Sequence, residues 1–140
     1  MIQISTDKSR LDIELIHNYL SNESYWAKGR SIEKVKLSIE NSICFGVYLD
    51  EAQIGFARVV TDYAVFAWIL DVFILKDFQG RGYGKKLMNT IMTQNNLQNL
   101  LRWGLGTDDA HGLYKQYGFK PLKKPQNMME IVAVKPDTDK

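Results

Sequence analysis

Apolar side chains change their spacing several times along this chain, and each change marks an element. Residues 2–5 alternate apolar and polar, the period of a half-buried strand. Leu11, Leu15, Ile16, Tyr19 and Leu20 then recur at helical spacing, with Asp7 or Ser9 placed to cap. Residues 21–30 carry no period and read as a loop. Ser31 can cap a second helix that carries Ile32, Val35 and Ile39 on one side and ends near Asn41. Residues 43–49 form a strand, 50–52 a turn and 53–61 the antiparallel partner. The run 65–75 is long, β-branched and aromatic, and predicts a central strand buried on both faces. After glycines at 80, 82 and 84, a helix places Tyr83, Leu87, Met88, Ile91 and Met92 on one face. Residues 100–105 make a further strand, Asp108 or Asp109 starts a short helix, and Gly118 breaks it. Residues 129–134 close the chain as a final strand. The order predicts a mixed α+β domain, with a sheet of about six or seven strands and helices packed on it.

Composition narrows the setting. A chain of 140 residues, 45% hydrophobic and with three Trp, seven Tyr and six Phe, has the material for one core, so a single domain over residues 1–140 is expected and disorder is excluded. The net charge of +2 offers no general footprint for nucleic acid. Arg81, Lys85, Lys86 and the group Lys120, Lys123 and Lys124 are better explained by ligand phosphates and a solvated surface. One cysteine, Cys44, and two histidines exclude an intrachain disulfide and a clustered soft-metal site, so no metal is expected. Cys44 reads as a small core residue. The longest apolar stretch, 64–75, is broken by Asp71 and too short for a bilayer, and the N-terminus has neither basic region nor cleavage site. These features predict a cytoplasmic protein with no membrane partner. The tail 135–140 reads as unstructured.

The chemistry is concentrated where the long strand meets the glycine loop. Glycines let the backbone approach a ligand closely, and the helix that follows presents unsatisfied N–H groups and the positive end of its dipole. Strand, loop and helix start together predict a phosphate or pyrophosphate site. Two familiar phosphate loops do not fit. A Walker A loop needs Ser or Thr where this chain has Lys86, and the dinucleotide pattern begun at Gly80 needs glycine where it has Lys85.

Gln79-x-x-Gly82-x-Gly84, after a strand ending Val72-Phe73-Ile74, resembles the coenzyme A loop of the GNAT acetyltransferases. Downstream, residues 110–119 are similar to the family's second motif, an Ala-containing helix ending in Tyr-x-x-x-Gly-Phe, here Tyr114 to Gly118-Phe119. The resemblance spans essentially the whole chain. It implies an αβα sandwich with a mostly antiparallel sheet, about four helices and a splayed strand pair. It implies acetyl-CoA as cosubstrate. Backbone groups of Val72, Phe73 and Ile74 would then pair with its pantetheine arm. The loop Gln79, Gly80, Arg81, Gly82, Tyr83, Gly84 and Lys85 would cradle its pyrophosphate. Tyr114 would protonate the departing thiolate, whereas Tyr117 reads as packing.

The function so implied is acetyl transfer to a primary amine, on a small molecule or a peptide, by direct attack in a ternary complex. The alternative is a GNAT-like module that senses coenzyme A or binds a partner without turnover. An aliphatic amine, with a pKa of about 10.4, must lose a proton first. Asp71 ranks first as the base, ahead of Asp62 and His111. Tyr25, Trp26, Asp62 and Phe66 are the expected acceptor-site residues, with Arg30 supplying a cation in the same loop as Tyr25 and Trp26. The chain departs from the family pattern at Thr107, where Asn is common, and at Lys76, where Pro is frequent. Asp108 and Asp109 are expected to cap the helix after them. An exposed sheet edge and an apolar last strand are compatible with a monomer or a homodimer.

Overall fold

A two-residue turn at Asp50 and Glu51 organises the sheet. Both residues take positive φ, 53° and 89°, the conformation whose twist matches that of paired strands. The turn joins β2 (Ile43–Leu49) to β3 (Ala52–Thr61), and Leu49 pairs with Ala52. β1 (Ile2–Ser5) adds antiparallel to β2, β4 (Phe66–Ile74) antiparallel to β3, and β5 (Arg102–Leu105) parallel to β4. In the computed structural model, which describes residues 1–133, they form one five-stranded sheet in the order β1-β2-β3-β4-β5. The expected six or seven strands are therefore five among the described residues. Residues 129–133 of the predicted last strand form no strand and pair with none among the described residues, and they are exposed to solvent. Val134 and the tail 135–140 lie outside the described residues.

Helices cover both faces, giving the expected mixed αβα sandwich. On one face lie α1 (Ile13–Asn18) and α2 (Ile32–Glu40), with Ile16, Leu20, Val35 and Ile39 packed against Phe56, Phe73 and Cys44. On the other lie α3 (Tyr83–Met92) and α4 (His111–Lys115), where Leu87, Met88, Ile91 and Tyr114 meet Phe45, Val47, Val59 and Ile69. Ser31 caps α2 as predicted, accepting from the Lys34 N–H at 3.2 Å. At α1 the cap is Asp12, which accepts from Leu15 N–H at 3.1 Å. Asp7 instead caps the 3₁₀ turn Lys8–Arg10, accepting from the Ser9 N–H. The chain is extended at Leu11 and Asp12, so the helix begins later than its apolar spacing suggests.

One irregularity in β4 positions the site. Phe56 pairs with Phe73 but Arg58 pairs with Leu70, so Ala57 stands opposite two residues, Asp71 and Val72. This is a β-bulge, with Asp71 at φ 55°. A non-glycine residue in that region costs of order 1–3 kcal/mol and persists only where its surroundings hold it. The bulge also switches the faces of the strand. Ala67 and Ile69 pack on the α3 side, whereas Phe73 packs with α1 and α2. β4 is thus an alternating strand with a phase change, not one buried on both faces; Phe66 is exposed and Leu70 half-buried.

Candidate active site

β4 and β5 pair only from Phe66↔Arg102 to Ile69↔Leu105. β4 then continues for residues 70–74 with no strand on that side among the described residues, so alternate backbone N–H and C=O groups face a gap. Where the two strands still touch, Gly104 lies against Trp68, and a Cβ there would run into the indole ring. Past that contact a cleft of about 480 Å³ opens. Its walls are residues 68–72 and 105–110, completed by Tyr25, Trp26, Arg30 and Tyr114.

Asp71 is held from three directions. Its Oδ1 accepts from Trp26 Nε1 at 3.0 Å, and its Oδ2 accepts from Arg30 Nη1 at 2.8 Å and Arg58 Nε at 2.7 Å. The carboxylate is 1% exposed. Arg58 stands opposite Leu70, so Asp71 shares Leu70's face, where strict alternation would have put it on the other. Arg58 is the member of this cluster that sequence reasoning missed. Its one prior signal was a cation in an otherwise apolar strand, which needs a buried partner.

The loop that carries Tyr25 and Trp26 is fixed to the fold. Residues Tyr19–Glu23 form a single π turn, with the Ser24 N–H donating to the Tyr19 carbonyl at 2.9 Å. Ser24 is buried, and its Oγ donates to the Leu20 carbonyl and accepts from the Ala27 N–H. Tyr25 Oη accepts from the Asp108 N–H at 2.8 Å, bridging this loop to the segment after β5. Tyr25 and Trp26 both line the cleft, their rings meeting edge-on at 5.0 Å.

The glycine loop has the predicted form. Gly80 and Gly82 take φ of 81° and 83°, and Gly82 is the N-cap of α3 without a side-chain cap. The first helical bond runs from the Lys86 N–H to the Gly82 carbonyl at 3.2 Å, so the N–H groups of Tyr83, Gly84 and Lys85 have no carbonyl one turn back. Space around Gly80, Gly82 and Gly84 is open. The side chains of Gln79 and Arg81 brace the loop itself: Gln79 Nε2 donates to the Ile74 carbonyl at 2.8 Å and Arg81 Nη2 to the Asp77 carbonyl at 3.2 Å. An open row of backbone donors fits an anionic diphosphate, and the unpaired edge of residues 70–74 fits an amide-bearing chain.

Tyr114 is 8% exposed and lines the cleft. Burial, assisted by Tyr25 and Asp109, pushes its phenol up to about 12. Its ring meets Phe119 edge-on at 6.1 Å, which ties the two fixed aromatics of the Tyr-x-x-x-Gly-Phe motif together.

Comparison with known proteins agrees with this geometry. The family model described as an acetyltransferase (GNAT) domain matches residues 40–121. The chain belongs to the GNAT acetyltransferase family. A crystal structure of a GNAT-family protein from Xanthomonas campestris pv. campestris is 48% identical, with a TM-score of 0.93, over 95% of this chain and 94% of that one. A sequence named "Uncharacterized N-acetyltransferase ycf52", from Gracilaria tenuistipitata var. liui, is 33% identical over 75% of this chain and 68% of its own. A Clostridium acetobutylicum acetyltransferase crystallised with acetyl-CoA shares the fold, at 13% identity and a TM-score of 0.70, over 94% of this chain and 96% of that one. The protein is accordingly an acetyltransferase, of a family that uses acetyl-CoA and acts on amine acceptors.

The remaining residues singled out from the sequence take varied places. Asp62 and Phe66 line neither this cleft nor its neighbour. Asp62 closes the β3–β4 turn, its Oδ1 accepting from the N–H groups of Ala64, Val65 and Phe66, and these bonds, led by Val65's, hold its carboxyl below the ordinary range. Asp108 and Asp109 line the cleft but do not cap α4. Thr107 shapes that turn, its Oγ1 accepting from Ala110 N–H at 3.1 Å. His111 is exposed and lines a second cleft beyond β5. Cys44 is buried, its thiol pushed up to about 11 by burial, and so is not poised as a nucleophile. Among the described residues no group of His, Cys, Asp or Glu gathers to hold a metal, and no helix is long and apolar enough to cross a membrane.

Proposed function

We propose that this one-domain chain acetylates a primary amine, carried by a small molecule or a peptide, by direct attack on acetyl-CoA in the cleft between β4 and β5. The observation that carries the reading is the parting of the two strands beside a buried, protonated Tyr114. The edge of Val72, Phe73 and Ile74 would hold the pantetheine arm, and the N–H groups of residues 80–85 the pyrophosphate. Gln79 and Arg81 act by keeping that loop in shape. Acetyl-CoA supplies an activated thioester, so the protein's tasks are to hold it, to present the neutral amine to it and to manage the proton that moves during transfer.

Tyr114 is the general acid. Its phenol stays protonated across the neutral range and can donate toward the departing sulfur. The proton leaving the amine nitrogen restores the phenol, so no net proton is consumed. Asp71, whose three donors engage both carboxylate oxygens, serves as a positioning residue that fixes Trp26 and Arg30 in the wall rather than as the base. Asp108 and Asp109, exposed at the cleft, favour a cationic acceptor arriving as its ammonium form, which gives up its extra proton to bulk water before it attacks.

Calorimetric titration with acetyl-CoA, followed by a thiol-release screen of amines, tests the reading. One-site binding together with amine-dependent release of coenzyme A that Tyr114→Phe suppresses is the expected result. Absence of acetyl-CoA binding would sink it.

A further inference from the structure

Two guanidinium groups share one buried carboxylate. Arg30 and Arg58 both donate to Asp71 Oδ2, while Oδ1 accepts from Trp26 Nε1. Two cations against one anion leave the cluster with a net positive charge. Arg58 also donates to Ser42 Oγ at 3.1 Å and lies outside the cleft lining. Arg30 is different. Its Nη1 reaches Asp71, but its Nε and Nη2 donate to nothing among the described residues, and its side chain lies 23% exposed in the cleft wall. A guanidinium paired on one nitrogen has donors left for a second anion, and its planar fork suits a carboxylate. Arg30 is the sole basic residue of the described lining, which matches one negative charge better than the two of a phosphate.

The wall after β5 has the opposite sign. Asp108 and Asp109 line it, and Asp109 lies near enough to Tyr114 for its charge to help raise the phenol. The cleft is therefore polarised, cationic at Arg30 and anionic beside the proton donor. Tyr25, Trp26 and Trp68 add aromatic surface to the same lining.

We propose that the acceptor is a free amino acid, its carboxylate held by Arg30 and its amine directed toward Tyr114, so that Arg30 selects the substrate. This rests on the acetyl-transfer reading above and narrows it to small molecules that carry both charges. A polyamine would bring only positive charge to Arg30, and the amino terminus of a peptide has an amide where the carboxylate is needed. Transfer joins the amine nitrogen to the acetyl carbon as the carbon–sulfur bond breaks. The products are coenzyme A and an N-acetylated amino acid that keeps its carboxylate.

Assays of coenzyme A release with free amino acids, each compared with its own amide, read this selection within one enzyme. The amide keeps the side chain and the amine and loses the negative charge. From wild type to Arg30→Gln, the acid-to-amide ratio of kcat/KM should fall on the order of 10–100-fold, mainly through KM for the acid. Comparing ratios between enzymes cancels the different basicity of the two amines, and any general damage to the fold lowers both substrates together. Arg30→Lys, which keeps the charge beside Asp71 but not the fork, should retain part of the preference. A ratio unchanged in both variants would overturn the proposal and leave acetyl transfer standing. So would turnover confined to polyamines or peptides, or to phosphoethanolamine, which would put a phosphate on Arg30. Failure of acetyl-CoA to bind in calorimetry would remove the proposal together with the reading beneath it.

Discussion

Arg58 Nε donates to Asp71 Oδ2 at 2.7 Å across the β-bulge, and the acceptor belongs to a residue in the left-handed region at φ 55°. The bond and the strained backbone support each other. The bulge turns Asp71 toward Arg58, and Arg58 and Arg30 together hold it there. Asp71→Ala removes the anion and leaves two guanidinium groups, 11% and 23% exposed, without it. Breaking a buried ion pair from one side costs about 3–5 kcal/mol, and that is the loss expected in urea unfolding. Asp71→Asn, which keeps shape and two acceptor lone pairs, should lose less.

The same substitution separates a positioning role from a basic one. If Asp71 only fixes the wall, Asp71→Asn lowers kcat but preserves the rise of kcat/KM with pH, because that rise follows the acceptor amine losing its proton. A profile gone flat on the acidic side would restore Asp71 as the base.

Much of this arrangement was readable in advance, and the part that was not has a physical reason. β2 occupies its predicted residues and Ser31 caps α2, because a short apolar, β-prone run ended by a turn and a side-chain cap are local signals. The Gly82 cap is equally local. The bulge is not, since one inserted residue in a strand of mixed apolar side chains leaves the composition unchanged while moving Asp71 to the other face. The Trp26–Asp71–Arg58 cluster joins residues 45 and 13 positions apart, beyond the reach of any spacing rule. Asp62 shows a related limit: a carboxylate beside a strand end looks the same in sequence whether it faces a cleft or, as here, closes a turn. The predicted final strand is not one among the described residues: 129–133 have the apolar, β-prone composition of a strand, but composition alone does not supply a partner to pair with.

Tyr114→Phe should lower kcat by about 10²–10⁴-fold, the range typical of a lost general acid, with the affinity for acetyl-CoA unchanged in calorimetry. Because the phenol is pushed up to about 12, activity of the wild type should not fall through Tyr114 ionisation below pH 10. Stability follows the same shift. A raised pKa in the fold means that the neutral phenol's contribution is complete below the unfolded value of about 10 and is lost as pH climbs toward 12. Urea midpoints at pH 9 and pH 11 should therefore drop further in the wild type than in Tyr114→Phe.

The glycine loop offers two substitutions with different signatures. Gly82→Ala forces a side chain into φ 83° and should cost roughly 1–2 kcal/mol of stability as well as acetyl-CoA affinity. At Gly84 the backbone is not left-handed and no atom lies within 4 Å of an added Cβ. Gly84→Val should thus leave the denaturation midpoint nearly in place and weaken acetyl-CoA binding by filling the cradle. Near-normal affinity in both variants would mean that the pyrophosphate lies elsewhere.

Tyr25 Oη is the sole acceptor given to the Asp108 N–H among the described residues, and that bond joins two walls of the cleft that come from opposite ends of the chain. Tyr25→Phe keeps the ring and its edge-on contact with Trp26 but removes the bridge. Asp108 is exposed, so water can take over its N–H, and the substitution should cost well under 1 kcal/mol in unfolding. What loosens is the register of residues 107–110 against the aromatic loop, and with it the acceptor's seat. KM for the amine should rise several-fold while the Kd for acetyl-CoA stays unchanged, because the glycine loop and the β4 edge are untouched. A rise in both constants would instead mean that the bridge supports the whole cleft.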